Sequence, residues 1–324
     1  MLDVFSRDIN YLRVSLTDKC DLRCRYCVPE KCGYLSDSRQ LLTTDEIYRI
    51  IKLFSDSGIT KVRFTGGEPF LRKGAFELFR RVRALEGIKT MAVTTNGTQI
   101  MRYLPEITSC GLDSVNISLD TLRSDEFEYI TRCSGRLLED IISGYKALLG
   151  AGLRVRINCV PVRGMNEGSV VSIAGLARSA PVDVRFIELM PIGCAKGLSG
   201  VDSADVLSML ENEYGKAAKE DDGQSSTAEY YGFSGFKGRI GLISPMTHKF
   251  CKNCSRIRIT ADGILKTCLC YDGGVDLRAL IRSGADDSDI IHVLGKAIAS
   301  KPYEHGFGSI ASDMEKNNMN TIGG

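Results

Sequence analysis

Near its beginning the chain reads YLRVSLTDKCDLRCRYC, residues 11–27, a strand-like run followed at once by three cysteines. In the strand-like run apolar and polar side chains alternate, as they do in a β-strand that packs one face against a core. Cys20, Cys24 and Cys27 then follow in the spacing C-x3-C-x2-C. We therefore expect a sheet whose first strand leads directly into a three-thiol site.

Runs of the same kind recur along the chain and alternate with stretches of helical periodicity. They begin at Tyr11, Lys61, Thr90, Asp113, Leu153 and Val182. Strand and helix alternating in this way are typical of an α/β protein with a parallel sheet.

One face of each predicted strand is apolar, and the opposite face is polar. The polar positions include six cations and one carboxylate: Arg13, Lys61, Arg63, Arg154, Arg156, Arg185 and Asp120. Charged groups are almost never buried unpaired, so we expect an anionic molecule in the space that these side chains line. A closed barrel would hold bulky aliphatic side chains there. The prediction is a partial (βα)6 TIM-like barrel; the alternative is a sheet whose polar face lies in solvent.

The alternation fades after residue 215, where a polar, glycine-rich segment begins. We predict the barrel over residues 1–215 and a C-terminal extension over residues 216–324. Short strand-like runs and a hairpin turn at Asp262-Gly263 predict a short antiparallel sheet in the extension.

The composition is that of an ordinary globular protein: 324 residues, 43% apolar and 25% charged, with a net charge of +2. A net charge this small does not attract the whole chain to nucleic acid or to a membrane surface. No segment is long and apolar enough to cross a bilayer. The N-terminal region lacks the apolar run of a secretion signal, so we expect a cytoplasmic protein. Twelve cysteines in a reducing compartment indicate metal binding or redox chemistry rather than disulfides.

The first cysteine triad, Cys20, Cys24 and Cys27, can hold three irons of a 4Fe-4S cluster and leave the fourth iron open. Electron carriers use four cysteines per cluster, so three suggest that a small molecule completes the site. A structural zinc ion needs four ligands. Cys32 is a possible fourth ligand, and that alternative stays open.

The second triad, Cys251, Cys254 and Cys268, has the spacing C-x2-C-x13-C. Alone it would suit a zinc ribbon with Cys270 or His248 as fourth ligand. Beside the first triad it favours a second iron–sulfur cluster with an open iron. Arg256 and Arg258 follow two residues apart, so both point to one face, where they would hold an anionic substrate.

These motifs resemble the radical S-adenosylmethionine superfamily: the C-x3-C-x-aromatic-C run follows the first strand, and FTGGEP, residues 64–69, ends the second. The second triad, the SRIRITADG run at residues 255–263 and the terminal Gly-Gly pair resemble the GTP 3′,8-cyclase family within it. The resemblance covers residues 13–324 and implies two 4Fe-4S clusters with S-adenosylmethionine as cofactor.

The resemblance also implies residue roles. Tyr26, Gly67, Glu68, Ser118 and Met190 match positions that bind S-adenosylmethionine. Substrate contacts match Arg13, Lys61, Arg63, Thr94, Arg156, Arg185, Arg256 and Arg258, and the catalytic set is Cys20, Cys24, Cys27, Arg13, Arg256 and Arg258. Asn96 falls in a further family motif, and the C-terminal NMNTIGG resembles a tail that enters the active site. The sequence departs from the family at Arg156, Thr321 and Cys270.

The implied activity is a radical cyclisation of GTP to 3′,8-cyclo-GTP, the first step of molybdenum cofactor biosynthesis. It implies a low-potential electron donor, a cyclic pyranopterin synthase that receives the product, and either a monomer or a homodimer. Two other functions stay open: a radical enzyme that modifies peptides and carries an auxiliary cluster, and a zinc-stabilised binding module.

Overall fold

The structure is a computed structural model, and it describes residues 1–30, 40–221, 227–307 and 314–323. Six strands alternate with helices as predicted. They are β1 (Tyr11–Ser15), β2 (Lys61–Thr65), β3 (Thr90–Thr95), β4 (Ser114–Ser118), β5 (Arg154–Cys159) and β6 (Asp183–Ile187). Each strand pairs in parallel with the next along the chain, from β1 to β6. The α/β class with a parallel sheet is therefore confirmed.

Helices cover the apolar face of these strands. They are α1 (Thr44–Asp56), α2 (Ala75–Arg83), α3 (Leu104–Ser109), α4 (Ser124–Thr131), α5 (Arg136–Gly150), α6 (Val170–Ser179) and α7 (Ser203–Tyr214). The core between the two layers contains Val14, Phe64, Val93, Val115 and Phe186, each at most 2% exposed. Helix α1 begins with a capping box, in which Thr43 Oγ1 accepts from the Glu46 amide and Glu46 Oε2 accepts from the Thr43 amide. The opposite side of the sheet, which we call the polar face, is therefore free to form a site.

The C-terminal part adds strands at both edges of this sheet. These are β7 (Ala218–Glu220), β8 (Glu229–Gly232), β9 (Ile240–Ile243), β10 (Arg256–Ile259), β11 (Ile264–Lys266) and β12 (Val275–Asp276), followed by α8 (Leu277–Arg282), α9 (Asp287–Ala299) and α10 (Met319–Ile322). Strand β10 pairs in parallel with β1, and β9 pairs in parallel with β6. The remaining pairs, β7–β8–β9 and β10–β11–β12, are antiparallel.

The antiparallel strands expected in the extension are present, and they continue the parallel sheet. The described strands form one twelve-stranded sheet, in which the antiparallel strands are outer flanks of the parallel centre. An open six-stranded sheet has unpaired backbone groups along both edges. Strands β9 and β10 pair with those groups, so the extension closes the sheet at both ends. The division at residue 215 stays a prediction.

Candidate active site

Strand pairing brings the predicted cations side by side on the polar face. Arg13 of β1 is paired with Arg63 of β2 on one side and with Arg258 of β10 on the other. Residues directly paired across parallel strands share a face. The same parity continues across the sheet to Arg185 on β6. All eight predicted substrate-binding positions therefore lie on this face: Arg13, Lys61, Arg63, Thr94, Arg156, Arg185, Arg256 and Arg258.

The arginines of the polar face act on one another across several strands. Burial lowers the pKa of Arg185 to about 10, and the charge of Arg63 contributes to that shift. Burial also lowers the pKa of Arg156, and the charge of Arg63 lowers it further. Long side chains from β2, β5 and β6 therefore share one space on this face.

This space is electrostatically prepared for an anion. Burial and the neighbouring charge of Arg258 lower the pKa of Arg13 to about 9. Burial and the charge of Arg256 lower the pKa of Arg258 to about 10. Three buried atoms on this face, Arg256 Nη2, Asn116 Oδ1 and Thr65 Oγ1, have no hydrogen-bond partner in the described part of the chain. Buried polar atoms normally have partners, so the geometry fits a polyanionic ligand with donors and acceptors of its own.

Several of the cations are held in place by neutral partners. Arg63 Nη1 donates to Thr94 Oγ1 at 3.3 Å. Arg156 Nη1 donates to Ser114 Oγ at 3.2 Å, but its Nε also lies 3.7 Å from Asp183 Oδ2, which partly compensates its charge. Arg185 Nη2 donates to Asn158 Oδ1 at 2.7 Å. Neutral acceptors fix the direction of a guanidinium and leave its charge available. Thr94, predicted as a substrate contact, is positioned here as a support for Arg63.

Tyr11 is a member of this face that the sequence analysis missed. Its hydroxyl accepts a hydrogen bond from Arg63 Nε, and Lys61 Nζ lies 4.7 Å from its ring centroid. Burial opposes ionisation of Tyr11, but the charges of Arg63, Arg13 and their neighbours outweigh it and lower the pKa to about 7. Tyr11 precedes Arg13 by two residues, so strand parity was the signal that could have found it.

Arg154 and Glu188 lie outside the space that the other arginines share. Arg154 has the right parity but is exposed at the start of β5. Glu188, which follows β6, is 4% exposed. Its carboxylate accepts from the amides of Ser203 at 3.1 Å, Met246 at 2.8 Å and Thr247 at 3.0 Å. Glu188 therefore fixes the loops behind the site.

The first triad follows β1 in a compact turn. The amide of Cys27 donates to the carbonyl of Cys24 at 2.9 Å. Burial raises the pKa of Cys20 and of Cys27 to about 12, and the charge of Cys20 contributes to the shift at Cys27. Burial and the charges of Cys27, Asp120 and Cys20 raise the pKa of Cys24. Three half-buried thiols that act on one another fit a metal group that replaces their protons.

Asn96 supports this triad from the end of β3. Its Nδ2 donates to Cys20 Sγ at 3.5 Å and to Asp21 Oδ1 at 2.7 Å. The Asn96 amide donates to Glu68 Oε2 at 2.8 Å. Glu68 is completely buried, and Thr95 Oγ1 donates to its carboxylate at 2.9 Å. The Glu68 side chain thus holds the Asn96 loop, while burial raises its pKa to about 8.

The two glycines of the FTGGEP run are required by a close backbone approach. A Cβ on Gly67 would lie 2.3 Å from the carbonyl oxygen of Lys19. A Cβ on Gly66, which has φ +155°, would lie 2.6 Å from the carbonyl oxygen of Thr17. The Gly67 amide donates to that Thr17 carbonyl at 2.6 Å. The end of β2 therefore supports the segment that leads into Cys20.

The other predicted cofactor contacts lie along the carboxyl ends of the strands. Tyr26 hydroxyl donates to Asp120 Oδ2 at 2.5 Å. Burial raises the pKa of Asp120 to about 6. Ser118 is exposed at the end of β4, and Met190 is half-buried after β6. These residues and the first triad therefore share one edge of the polar face.

The second triad lies at the far edge, next to β10. Cys251 and Cys254 belong to one turn before β10, and Cys268 follows β11. Burial raises the pKa of Cys251, and the charges of Cys254 and Cys268 add to the shift. Cys270 is fully buried, and its Sγ lies 3.6 Å from Met314 Sδ. Residues 267–270 form no strand, so Cys268 and Cys270 do not share a strand face.

The described C-terminal tail connects the two edges. The backbone amide of Asn320 donates to Cys27, and Asn320 Nδ2 donates to the carbonyl of Asp18 at 3.3 Å. At the other end Arg258 Nη1 donates to the carbonyl of Gly323 at 3.2 Å. The described tail therefore lies between Arg258 and the first triad, and its role in the active site stays a prediction. Gly324 lies outside the described residues, as does Cys32.

Within residues 1–30, 40–221, 227–307 and 314–323, no three His, Cys, Asp or Glu side chains come close enough to hold one metal ion. The eleven cysteines in these ranges are free thiols. No helix in the same ranges is long and apolar enough to span a bilayer.

Comparison with known proteins decides the family. The family model described as Radical SAM superfamily matches residues 14–177, and that described as Molybdenum Cofactor Synthesis C matches residues 182–307. A GTP 3′,8-cyclase of Clostridium perfringens (strain SM101 / Type A) is 38% identical over 329 residues, with 100% of each chain covered. The chain belongs to the GTP 3′,8-cyclase family. The resemblance expected from the sequence is confirmed.

Other relatives extend the family and its fold. Molybdenum cofactor biosynthesis protein 1 of Homo sapiens is 40% identical to this GTP 3′,8-cyclase family member over 308 residues, which are 94% of this chain and 48% of the human protein. The chain therefore spans about half of that relative. The crystal structure of Streptococcus suis SuiB bound to S-adenosylmethionine superposes with a TM-score of 0.62 at 16% identity, over 90% of this chain and 68% of SuiB. At that identity the likeness shows the fold alone.

Proposed function

We propose that this protein converts GTP to 3′,8-cyclo-GTP in a reaction that depends on S-adenosylmethionine, the first step of molybdenum cofactor biosynthesis. The observation that carries the proposal is the polar face, on which Arg258, Arg13 and Arg63 lie side by side on neighbouring strands, between the segments that carry the two cysteine triads. A triphosphate supplies the negative charge that this row lacks. A peptide substrate would not need so many converging cations, so the structure favours a nucleotide.

The residues fit the two clusters implied by the family. We infer that Cys20, Cys24 and Cys27 hold one 4Fe-4S cluster and that S-adenosylmethionine completes it. The second triad would hold the other cluster, against which the substrate base would lie. When bound, these groups supply radical chemistry that starts with the reductive cleavage of a sulfonium bond.

The protein's own side chains would bind and orient GTP. Arg13, Arg63 and Arg258 lie in one row and would hold the triphosphate, since a guanidinium can donate two hydrogen bonds to a phosphate. Asn96 and Tyr26 would shape the cofactor end, with Glu68 acting through the Asn96 loop. Holding both reactants in one geometry replaces a collision with an intramolecular step.

We infer that the sheet is a partial (βα)6 barrel, that a low-potential donor reduces the clusters, and that a cyclic pyranopterin synthase receives the product. The free thiols suit a reducing compartment, in keeping with the cytoplasm. The protein would act as a monomer or a homodimer, and analytical ultracentrifugation distinguishes the two.

The test is a single-turnover assay under anaerobic conditions. Protein with reconstituted iron is incubated with GTP, S-adenosylmethionine and dithionite, and the nucleotides are separated by chromatography and mass spectrometry. We expect a product with the mass of GTP but a different retention time, together with 5′-deoxyadenosine.

Two cysteine variants make the assay specific. Cys24→Ser should abolish the product, whereas Cys110→Ser changes a buried cysteine below α3 and should leave it. Formation of 5′-deoxyadenosine with unchanged GTP would reject GTP as the substrate. A zinc-containing, colourless protein without iron would reject the radical chemistry altogether.

A further inference from the structure

Lys301 is a buried lysine at the second triad that no sequence motif singles out. Its residue is 4% exposed. Nζ donates to the carbonyl of Arg256 at 2.9 Å and to the carbonyl of Thr267 at 2.5 Å. Arg256 begins the strand that follows Cys254, and Thr267 directly precedes Cys268. One ammonium group therefore joins the two segments that carry these cysteines.

The same ammonium group acts on a cysteine sulfur. Burial alone would raise the pKa of Cys254, but the charges of Lys301 and Arg256 outweigh it and lower the pKa. At Cys251 of the same triad, burial raises the pKa. The positive charge is thus directed at one corner of the triad.

The backbone that carries Lys301 is fixed from the N-terminal segment. Arg7 Nη2 donates to the carbonyl of Pro302 at 2.8 Å, and Arg7 Nη1 donates to the carbonyl of Cys251 at 3.0 Å. Asp3 pairs with Arg7 Nε at 2.6 Å, and both side chains are buried. A guanidinium that binds both segments sets the distance between Lys301 and the triad.

We propose that Lys301 is a positioning residue that raises the reduction potential of the metal cluster held by Cys251, Cys254 and Cys268. The inference rests on the proposed function, in which this triad holds an iron–sulfur cluster. One added electron makes such a cluster more negative. A fixed cation held between the two segments that carry the cysteines stabilises that reduced form, so the potential rises.

The first triad provides an internal reference. The donor that the structure shows on Cys20 is the neutral amide of Asn96, at 3.5 Å. A neutral donor stabilises the reduced form less than a charged donor does. Removing the charge of Lys301 should therefore change the second cluster and leave the first one as it was.

The test is a redox titration of the holoenzyme followed by electron paramagnetic resonance. In Lys301→Gln the second cluster should be at least tenfold harder to reduce, which corresponds to a downward shift of about 59 mV for one electron. Lys301→Arg should stay near the wild-type potential. Lys249→Gln is the matched control, because Lys249 is an exposed lysine two residues before Cys251 that pairs with Glu304 at 3.4 Å. It should not shift either cluster.

The outcomes for Lys301 and for the proposed function can be told apart. An unshifted second cluster in Lys301→Gln, or equal shifts in Lys301→Gln and Lys301→Arg, overturns the role of Lys301 and leaves the proposed function intact. If Lys301→Gln loses the second cluster, retention of that cluster in Lys301→Arg supports the role, and its loss in both variants overturns it. Wild-type protein with iron for only the first triad would instead reject the proposed function.

Discussion

Tyr11 couples the protonation of one residue to the charge of the whole polar face. With a pKa lowered to about 7 by the surrounding cations, its phenolate accumulates above neutral pH and cancels one positive charge. We predict that the affinity for GTP falls as the pH rises from 6 to 9, because the triphosphate then meets a less positive site. In Tyr11→Phe this decline should be absent, and at pH 6 the loss of the Arg63 acceptor should weaken binding by about tenfold.

The measurement is calorimetric titration with GTP at several pH values, with Tyr145→Phe as the control. Tyr145 is buried at the helical layer, where burial raises its pKa. A second readout is stability. Ionisation of Tyr11 adds stability only above its folded pKa, so the stability difference between wild type and Tyr11→Phe should grow from pH 7 to pH 10 and become independent of pH below 7. An equal pH slope in both proteins would contradict the assignment.

Strand alternation in the sequence predicted some residues of the site and missed others. Alternation within single strands was enough to place Arg13, Arg63 and Arg185 on one face, because strand geometry fixes side-chain direction. The same alternation places Tyr11 on this face. Tyr11 was missed because an aromatic side chain in a strand is usually assigned to the hydrophobic core. Lys301 carries no local pattern at all, since its partners are carbonyl groups brought together only by the fold.

At the scale of an element, the docked tail depends on a glycine. Gly323 has φ +77°, and a Cβ there would lie 2.7 Å from Ser15 Cβ and 3.0 Å from Thr65 Oγ1. We predict that Gly323→Ala displaces α10 from the site, so that activity falls at least tenfold while the melting temperature changes little. Gly152→Ala is the matched control, because Gly152 has φ +78° with no atom within 4 Å of its added Cβ.

Activity with GTP and thermal unfolding of both variants test this prediction. Strain at positive φ is common to the two, whereas the clash with β1 and β2 belongs to Gly323 alone. If Gly152→Ala lost as much activity as Gly323→Ala, backbone strain rather than tail docking would be the cause.

A buried ion pair holds the other end of the tail. Lys266 Nζ and Glu315 Oε2 are 2.6 Å apart, with side chains 4% and 1% exposed. Removing one partner of a buried pair leaves the other charge uncompensated, at a cost of about 3–5 kcal/mol. We predict that Glu315→Gln releases residues 314–323 without unfolding the sheet, and that amide hydrogen exchange in this segment accelerates at least a hundredfold.

An exposed pair next to it supplies the comparison. Lys316 Nζ lies 3.7 Å from Asp272 Oδ2, and the Lys316 side chain is 70% exposed. Pairs of this kind contribute about 0–1 kcal/mol, so Lys316→Gln should leave the exchange rates within about fivefold of wild type. Faster exchange throughout β1–β6 in Glu315→Gln would show that the pair stabilises the whole fold instead.

Elements beyond the repeating strand–helix pattern were harder to predict than the pattern itself. The six parallel strands follow from local periodicity and short connections. The pairing of β10 with β1 and of β9 with β6 does not, because nothing in a short strand states which edge it will meet. Since Arg258 reaches Arg13 only through that pairing, the union of the two triads in one site required the structure.

The whole molecule has a net charge of only +2, yet its polar face carries a cluster of cations. Mutual repulsion there destabilises the ligand-free fold, so a polyanion that neutralises the face must stabilise it. We predict that inorganic triphosphate raises the melting temperature of the anaerobically purified protein, by several degrees at a hundred times Kd, where linkage contributes about 2.7 kcal/mol. Guanosine should have little effect, and added salt should reduce the triphosphate effect because ions screen the interaction.

Two arginine variants distinguish binding of triphosphate to the polar face from attraction to the overall positive charge of the protein. Arg63 is 7% exposed and is paired with Arg13 in the row, so Arg63→Gln should lose most of the stabilisation by triphosphate. Arg154 has the same parity but is exposed, so Arg154→Gln should keep it, although both variants remove one charge. Equal losses in the two variants, measured by differential scanning fluorimetry, would mean that triphosphate responds to overall charge and that the row of buried arginines is not the anion site.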